Sequence, residues 1–222
     1  MADRFLGKRL IVAMSQYLLF AVVHSLLTIM PIKTWARQFG GERYGNALYR
    51  LIYNAIALIS LFGVIRAFLH MPDKRWYQSM PPWSWLLRAG QASGVLLGIW
   101  GVLAGGIGEF TGFRPVAQFL RGDVPASTQE GHGPRWKDSK QLVVRGPFHI
   151  TRHPANWGMA LIMLLNPRMS RNRAAFTLLS CAYLILGSLH EEQRMQATYQ
   201  GDYDTYKQHV PFLFKLLTHT HA

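Results

Sequence analysis

Three blocks of about twenty or more predominantly apolar residues, running over 10–30, 47–69 and 86–110, constrain this 222-residue chain more than any other feature. A helix of roughly 20 such residues crosses the hydrocarbon core of a bilayer. Inside lipid every backbone N–H and C=O needs a partner from its own segment, so a span of this kind is helical. The chain therefore reads as an all-α, polytopic integral membrane protein. The first block has His24 and Gln16 as its only strongly polar members, and the second is entered past Tyr49 and Arg50 and carries Arg66 near its far end. The third places Gly94, Gly98, Gly101 and Gly105 on GxxxG spacings, which either admit a neighbouring backbone closely or reflect the tolerance of lipid-facing helices for glycine. Two more apolar runs, Trp157 to Leu165 and Ala174 to Leu189, are separated by Asn166-Pro167 and form a helical hairpin or tilted pair entering the bilayer from one side. The expectation is about five hydrophobic helices in one membrane domain over 1–222. Residues 1–110 supply three spans, and 111–222 supply a long loop, the hairpin and a C-terminal tail. The first block is too long for a cleaved signal and lacks a small-residue cleavage site, so it reads as a retained helix. Residues 111–153 form a polar stretch rich in Gly and Pro, and the tail beyond Glu191 is polar until an apolar patch at Val210 to Leu217 suited to the interface.

The mean hydropathy is only +0.06 although half the residues are hydrophobic, because 24 Lys and Arg sit mostly between the apolar blocks. A formal charge of +13 could serve nucleic acid binding, but basic residues flanking apolar segments are topology signals and partners for anionic lipid headgroups. No nucleic acid partner is expected. Fourteen of the 24 fall on one side if the first loop, the long loop and the tail share it, from Lys33 and Arg37 through Arg114 to Lys215. That bias places the long loop and tail in the cytoplasm and the N-terminus outside. Cys181 is the single cysteine, lies in an apolar run, and reads as a small buried hydrophobe.

Two segments carry chemistry. In Leu142 to Gly158, LVVRGPFHITRHPANWG, a Gly146-Pro147 turn precedes Arg152-His153-Pro154, and Pro154 suits a first helical turn. A helix start beside Arg and His suits a carboxylate or phosphate, or else anchors the helix at the headgroups. The second segment, Glu191-Glu192, ends an apolar helix, where ionisable groups are either used or solvated. Tyr199, Tyr203 and Tyr206 follow and offer faces to a purine or a cation. Cationic donors, adjacent carboxylates and aromatic faces suit a zwitterionic nucleoside ligand, and the apolar helices suit an acceptor arriving from the bilayer. Gly105 to Gly112 (GGIGEFTG) ends a membrane helix rather than following a strand, so it is no dinucleotide fingerprint. A metal or haem reading rests on nine histidines, above all the His149 and His153 pair, which Pro154 places in a loop, and on His24 within the first span. His24 reads as a hydrogen-bonded packing histidine or an axial ligand. No metal site is expected.

At these residues the chain resembles the integral membrane methyltransferase family that includes isoprenylcysteine carboxyl methyltransferase, phosphatidylethanolamine N-methyltransferase and the bacterial methanethiol S-methyltransferases. The shared order is Gly146-Pro147-Phe148, Arg152-His153-Pro154, a helical hairpin, Glu191-Glu192, Tyr203-x-x-Tyr206 and Val210-Pro211. His24-Ser25, Lys33 and Tyr49-Arg50-Leu51-x-Tyr53-Asn54 are similar to the small-thiol branch. The resemblance implies S-adenosylmethionine as cofactor, direct in-line methyl transfer to a small thiol or lipid-like acceptor, and a bacterial inner membrane with the site facing the cytoplasm. It implies a cofactor site formed by Lys140, Gln141, Leu142, Val143, Phe148, His153, Glu191 and Glu192, with Asn156 beside them. His153 is expected to be a neutral ring donating one N–H to the cofactor's carboxylate, because Arg152 and the helix start supply positive charge. No general base stands out. Three departures are present. Asn156 stands where many members have Tyr, Gln200 replaces the usual Gly before the tyrosine pair, and Gly187 occupies the position of a substrate-binding Arg in the isoprenylcysteine enzymes. Asn156-Trp157-Gly158 instead resembles the NnrU-type membrane proteins linked to denitrification, which keeps open a non-catalytic member of the fold.

Overall fold

The computed structural model describes residues 2–123, 125, 134–136 and 142–214. Eight helices are seen among them: α1 (Ala2–Leu26), α2 (Met30–Gly40), α3 (Glu42–Leu69), α4 (Trp83–Gly105), α5 (Ile107–Thr111), α6 (Phe113–Leu120), α7 (Pro154–Leu164) and α8 (Arg171–His209). Four have the length and apolar composition to cross a membrane: the Lys8–Leu26 part of α1, then α3, α4 and α8. With the short apolar α7 they make the five hydrophobic helices expected. The strands are minimal. β1 (Arg75–Gln78) pairs with β4 (Arg168–Ser170), and β2 (Arg135–Trp136) pairs antiparallel with β3 (Leu142–Val143).

Contacts divide the chain into two compact units. The first comprises Met1–Tyr77, Gly108–Gln129 and Arg168–Leu178. Here α1 packs along α3, and α2 and α6 pack on the first turns of α3. The third apolar block breaks at Gly106 (φ 99°) and its end forms α5, and the expected loop at 111–153 opens instead with α6, because Phe113, Val116, Ala117 and Leu120 recur at helical spacing after Gly112 turns the chain at φ 86°. A Cβ on Gly112 would lie 2.8 Å from the Leu51 nitrogen, so only glycine admits this approach to α3. Asn54 secures the corner by donating to the carbonyls of Phe110 (2.9 Å) and Thr111 (3.0 Å). His24 bonds the Tyr53 hydroxyl at 2.8 Å through Nε2, which makes it a packing histidine. At the start of α8, Asn172 donates to the Met71 and Pro72 carbonyls and its N–H reaches the Asp73 carboxylate at 3.0 Å, tying the hairpin turn to the end of α3.

The second unit comprises Gln78–Ile107, Glu130–Pro167 and Leu179–Ala222. Its centre is the pairing of α4 with α7. A Cβ on Gly94 would meet the Gly158 carbonyl oxygen at 2.7 Å, one on Gly158 would meet the Gly94 oxygen at 2.5 Å and the Gly98 nitrogen at 2.7 Å, and one on Gly101 would meet Pro154 at 3.0 Å. The glycines of α4 do admit a neighbouring backbone, but Gly94 and Gly101 face α7, seven residues apart, while a Cβ on Gly98 would enter open space. The hairpin turn lies beside the residues that precede α4, where Ser79 N–H donates to the Pro167 carbonyl at 2.9 Å. The tail expected beyond Glu191 is helical to His209, broken at Gln200 (φ 45°, ψ −130°).

Candidate functional site

The site is built where α7 begins and α8 passes its midpoint. Residues 146–149 form a 3-10 turn, entered through Gly146 at φ 56° directly beneath the Trp100 indole, where a Cβ would lie 2.8 Å from Nε1. That turn buries Phe148 and carries the chain to Thr151, Arg152 and His153, the residues just before α7. Pro154 occupies the first helical position, where its missing N–H is not needed.

The Val210-Pro211 element acts as a strap across this helix start. The Pro211 carbonyl accepts from the Arg152 N–H at 3.2 Å, and the Phe212 carbonyl accepts from Thr151 Oγ1 at 3.0 Å and from the Trp157 indole at 2.7 Å. Phe212 also lays its ring edge-on to His153 at 5.1 Å and lies under the Arg152 guanidinium at 5.7 Å.

Glu191 and Glu192 are buried rather than solvated, at 7% and 5% exposure. His153 Nε2 lies 2.9 Å from Glu192 Oε1 and Nδ1 lies 3.6 Å from Glu191 Oε2. Arg152 Nε stands 3.2 Å from the same Glu192 oxygen, and Lys207 Nζ 3.8 Å from the other. Two carboxylates thus meet three cationic groups in a water-poor setting, where unpaired charge would be costly. The expected neutral ring is corrected here. Burial pushes the His153 pKa down, but the hydrogen bonds and negative charge of Glu191 and Glu192 outweigh it and raise it above the ordinary value. Arg152 does not impose neutrality, because Glu192 lies between its charge and the ring's.

The remaining expected residues distribute around this cluster. Asn156 donates to Ser188 Oγ at 2.8 Å, joining α7 to α8. Val143 lies on β3, whose partner strand is β2. Lys140 and Gln141 lie outside the described residues. Leu142 packs with Val144 on a cluster of Met195, Tyr199, Tyr203, Tyr206 and Val210. Tyr199 and Tyr203 are core side chains rather than open aromatic faces. Tyr206 donates to the Phe148 carbonyl at 2.9 Å and, with Leu142, Val144, His149, Asp202 and His209, lines an open cleft of about 430 Å³. The two histidines on which a metal reading would rest are separated in role, His153 in the ion cluster and His149 on the cleft. Among the described residues no group of three or more His, Cys, Asp or Glu is disposed to hold a metal ion.

Three members were not read from the sequence: Lys207, Thr151 and Phe212. Lys207 follows Tyr206 directly and Phe212 follows Val210-Pro211, so both adjoin motifs already recognised, while Thr151 carries no signal of its own.

The NnrU protein family model matches residues 12–164, well over half of the chain. The chain belongs to the NnrU family. It is also similar to methanethiol S-methyltransferase 2 of Bradyrhizobium diazoefficiens, 25% identical over 211 residues that cover 94% of this chain and 74% of the relative. Methanethiol S-methyltransferase 1 of the same organism is 25% identical over 195 residues, covering 88% of this chain and 63% of the relative. No solved structure matches. The NnrU match includes Arg152 and His153 and stops short of Glu191 and Glu192, whereas the similarity to the first methyltransferase extends over nearly the whole chain.

Proposed function

We propose that this NnrU-family chain is a membrane-embedded S-adenosylmethionine-dependent methyltransferase acting on a small thiol or lipid-like acceptor, seated in a bacterial inner membrane with its cofactor site toward the cytoplasm. The observation that carries the reading is the buried cluster of Arg152, His153, Glu191, Glu192 and Lys207 beside the Tyr206-lined cleft. The printed names of the two relatives support the reaction class.

The donor set suits the cofactor. Buried carboxylates match an ammonium or ribose hydroxyls, Arg152 and Lys207 match a carboxylate, and a cleft with Leu142, Val144 and Val210 on its wall matches a nucleobase. The cleft volume falls within the roughly 300–1,000 Å³ usual for small-molecule sites. Leu142, Val143, Phe148, His153, Asn156, Glu191 and Glu192 would hold the group, with Lys140 and Gln141. When bound, it supplies an electrophilic methyl on a sulfonium centre. His153 fixes both carboxylates in place through its two ring nitrogens, the Phe212 strap fixes His153, and buried Tyr203 keeps water from the charges. Such prior positioning is what a displacement between two bound reactants requires.

A second reading, a member of the fold without catalysis, is favoured by one observation: Glu192 is already engaged by Arg152, His153 and Lys207. Calorimetry of the purified chain in detergent with S-adenosylhomocysteine separates the two. Saturable binding, followed by methylation of a member of a thiol and lipid screen, supports the enzyme. A folded chain that takes up none overturns it.

A further inference from the structure

The first unit carries a feature that the methyl-transfer reading does not use. Two short amphipathic helices, far apart in sequence, pack along the same first turns of α3. A Cβ on Gly45 of α3 would meet Arg37 of α2 at 2.9 Å, so Arg37 lies level with Gly45. On α6, Phe119 meets Tyr44 at 5.1 Å and lies under the Arg43 guanidinium at 5.0 Å, while Gly112 sits against Arg50 and Leu51. Around residues 43–51 of α3 the two helices thus form a collar.

The collar's depth follows from the helices it surrounds. Tyr49 donates to the Leu27 carbonyl at 2.6 Å, so α1 ends level with Tyr49 and the first turns of α3 project beyond it. With 28 residues, α3 is about 42 Å long, more than the roughly 30 Å a hydrocarbon core needs. The excess lies where the collar is, at the level of lipid headgroups.

The collar's surface has the composition of that level. Phe39 is 85% exposed and Leu120 76%, with Trp35 stacked on Phe39 at 5.6 Å and Phe113 also exposed. Among the described residues these four apolar side chains stay between 61% and 85% exposed, and each stands beside basic residues. Arg43 and Arg121 are exposed and Arg37 half-exposed. The acidic residues in these segments are Glu42, Glu109 and Asp123, and Glu109 is engaged by Arg114. Aromatic side chains with interleaved arginines on an amphipathic helix are what an anionic interface binds.

We propose that the α2–α6 collar is a binding surface for anionic phospholipid, with Arg37, Arg43 and Arg121 on the phosphates and Trp35, Phe39, Phe113 and Leu120 among the upper acyl chains. The collar thereby anchors this end of α3 to the more anionic leaflet. It stands independently of the methyltransferase reading.

The test uses the full chain in detergent, titrated with phosphatidylglycerol or phosphatidylcholine. A basic residue near an anionic surface contributes roughly 1 kcal/mol, about fivefold in affinity, so three together should give at least about a tenfold preference. The expected result is that phosphatidylglycerol binds at least roughly tenfold tighter than phosphatidylcholine, the preference shrinking toward unity near 1 M salt, where screening reaches about 3 Å. The R37Q/R43Q/R121Q variant should lose the preference. Phosphatidylglycerol with brominated tails should quench a fluorescence component of the wild-type chain that Trp35→Phe removes, a reading that does not depend on the triple variant folding. Equal affinity for the two lipids, a salt-insensitive preference, a folded triple variant that keeps it, or unquenched Trp35 would each overturn the proposal.

Discussion

The body of α7 and the residue that caps its start are held by opposite means. Along its length, α7 meets α4 through backbone, with Gly158 against Gly94 and Gly98 and Pro154 against Gly101, and the fit is set by the absence of side chains. At its start, His153 is held by charge, between two carboxylates of α8 and beside Arg152. The first kind of joint is indifferent to pH and salt but intolerant of a methyl group. The second tolerates small changes of shape and responds to protonation. A site that must be both fixed in place and able to engage a charged ligand gains from having each kind of joint on one helix.

The largest effect should come from the steric joint. Gly158→Val should prevent stable folding or destabilise by more than about 4 kcal/mol, since the first added carbon already falls 2.5 Å from a carbonyl oxygen. Gly98→Ala, entering open space, should change stability by less than about 0.5 kcal/mol. Thermal unfolding in detergent measures both, and equal effects would break the distinction.

At the charged joint, Glu192→Gln leaves buried cations short of a partner and should cost about 3–5 kcal/mol. If the pair also contacts the ligand, either Glu→Gln change should weaken S-adenosylhomocysteine binding roughly tenfold or more, because a charge-assisted hydrogen bond is worth about 1.5–3 kcal/mol. His153→Ala should lower affinity and turnover together. His149→Ala, at the cleft, should have the smaller effect, and equal losses with rescue by added metal would point to a metal site instead.

Protonation separates the two joints next. His153 is raised above its unfolded value of about 6.5. Its contribution to stability is therefore fully present below about pH 6.5 and is lost as pH rises through the higher folded value. The stability difference between the wild-type chain and His153→Gln should shrink as pH climbs above 6.5, while the difference for Gly158→Ala stays constant. A flat profile for His153→Gln would remove the electrostatic account.

The smallest effect concerns a third way of needing glycine. Gln200 sits at φ 45°, ψ −130°, where the clash comes from its own backbone rather than from a neighbour. Gln200→Gly should stabilise by about 1 kcal/mol, read as a higher unfolding midpoint.

The spans and the motif cluster were legible in the sequence for one physical reason: long apolar runs and paired charges at their ends admit few solutions in lipid. The apolar run from Leu10 could only be a helix, although it stops at Leu26 and Met30 already opens α2, and Arg152-His153 suited an anion. The protonation of His153 was not legible, because it depends on Glu191 and Glu192 meeting it, a fact of packing rather than of spacing. Helix α6 was hidden within a polar stretch because eight residues are too few to stand out. Asn156 read as a departure from a ligand-site pattern, and only the coordinates reveal that it joins Ser188.

The order in which the ribosome delivers this site has a consequence of its own. His153 and Glu192 are 39 residues apart in the chain. At roughly 5–20 residues per second, Arg152 and His153 wait about 2–8 s after synthesis before their carboxylates exist. During that interval α4 and α7 can already close on their glycines, with the Arg152 charge at the helix start and no counterion from α8. Until the middle of α8 is made, the helix start therefore holds a guanidinium without the carboxylate that later faces it. The arrival of Glu191 and Glu192 gives that site its counterions, so the charged joint closes after the glycine joint, and the Pro211–Phe212 strap can only follow it.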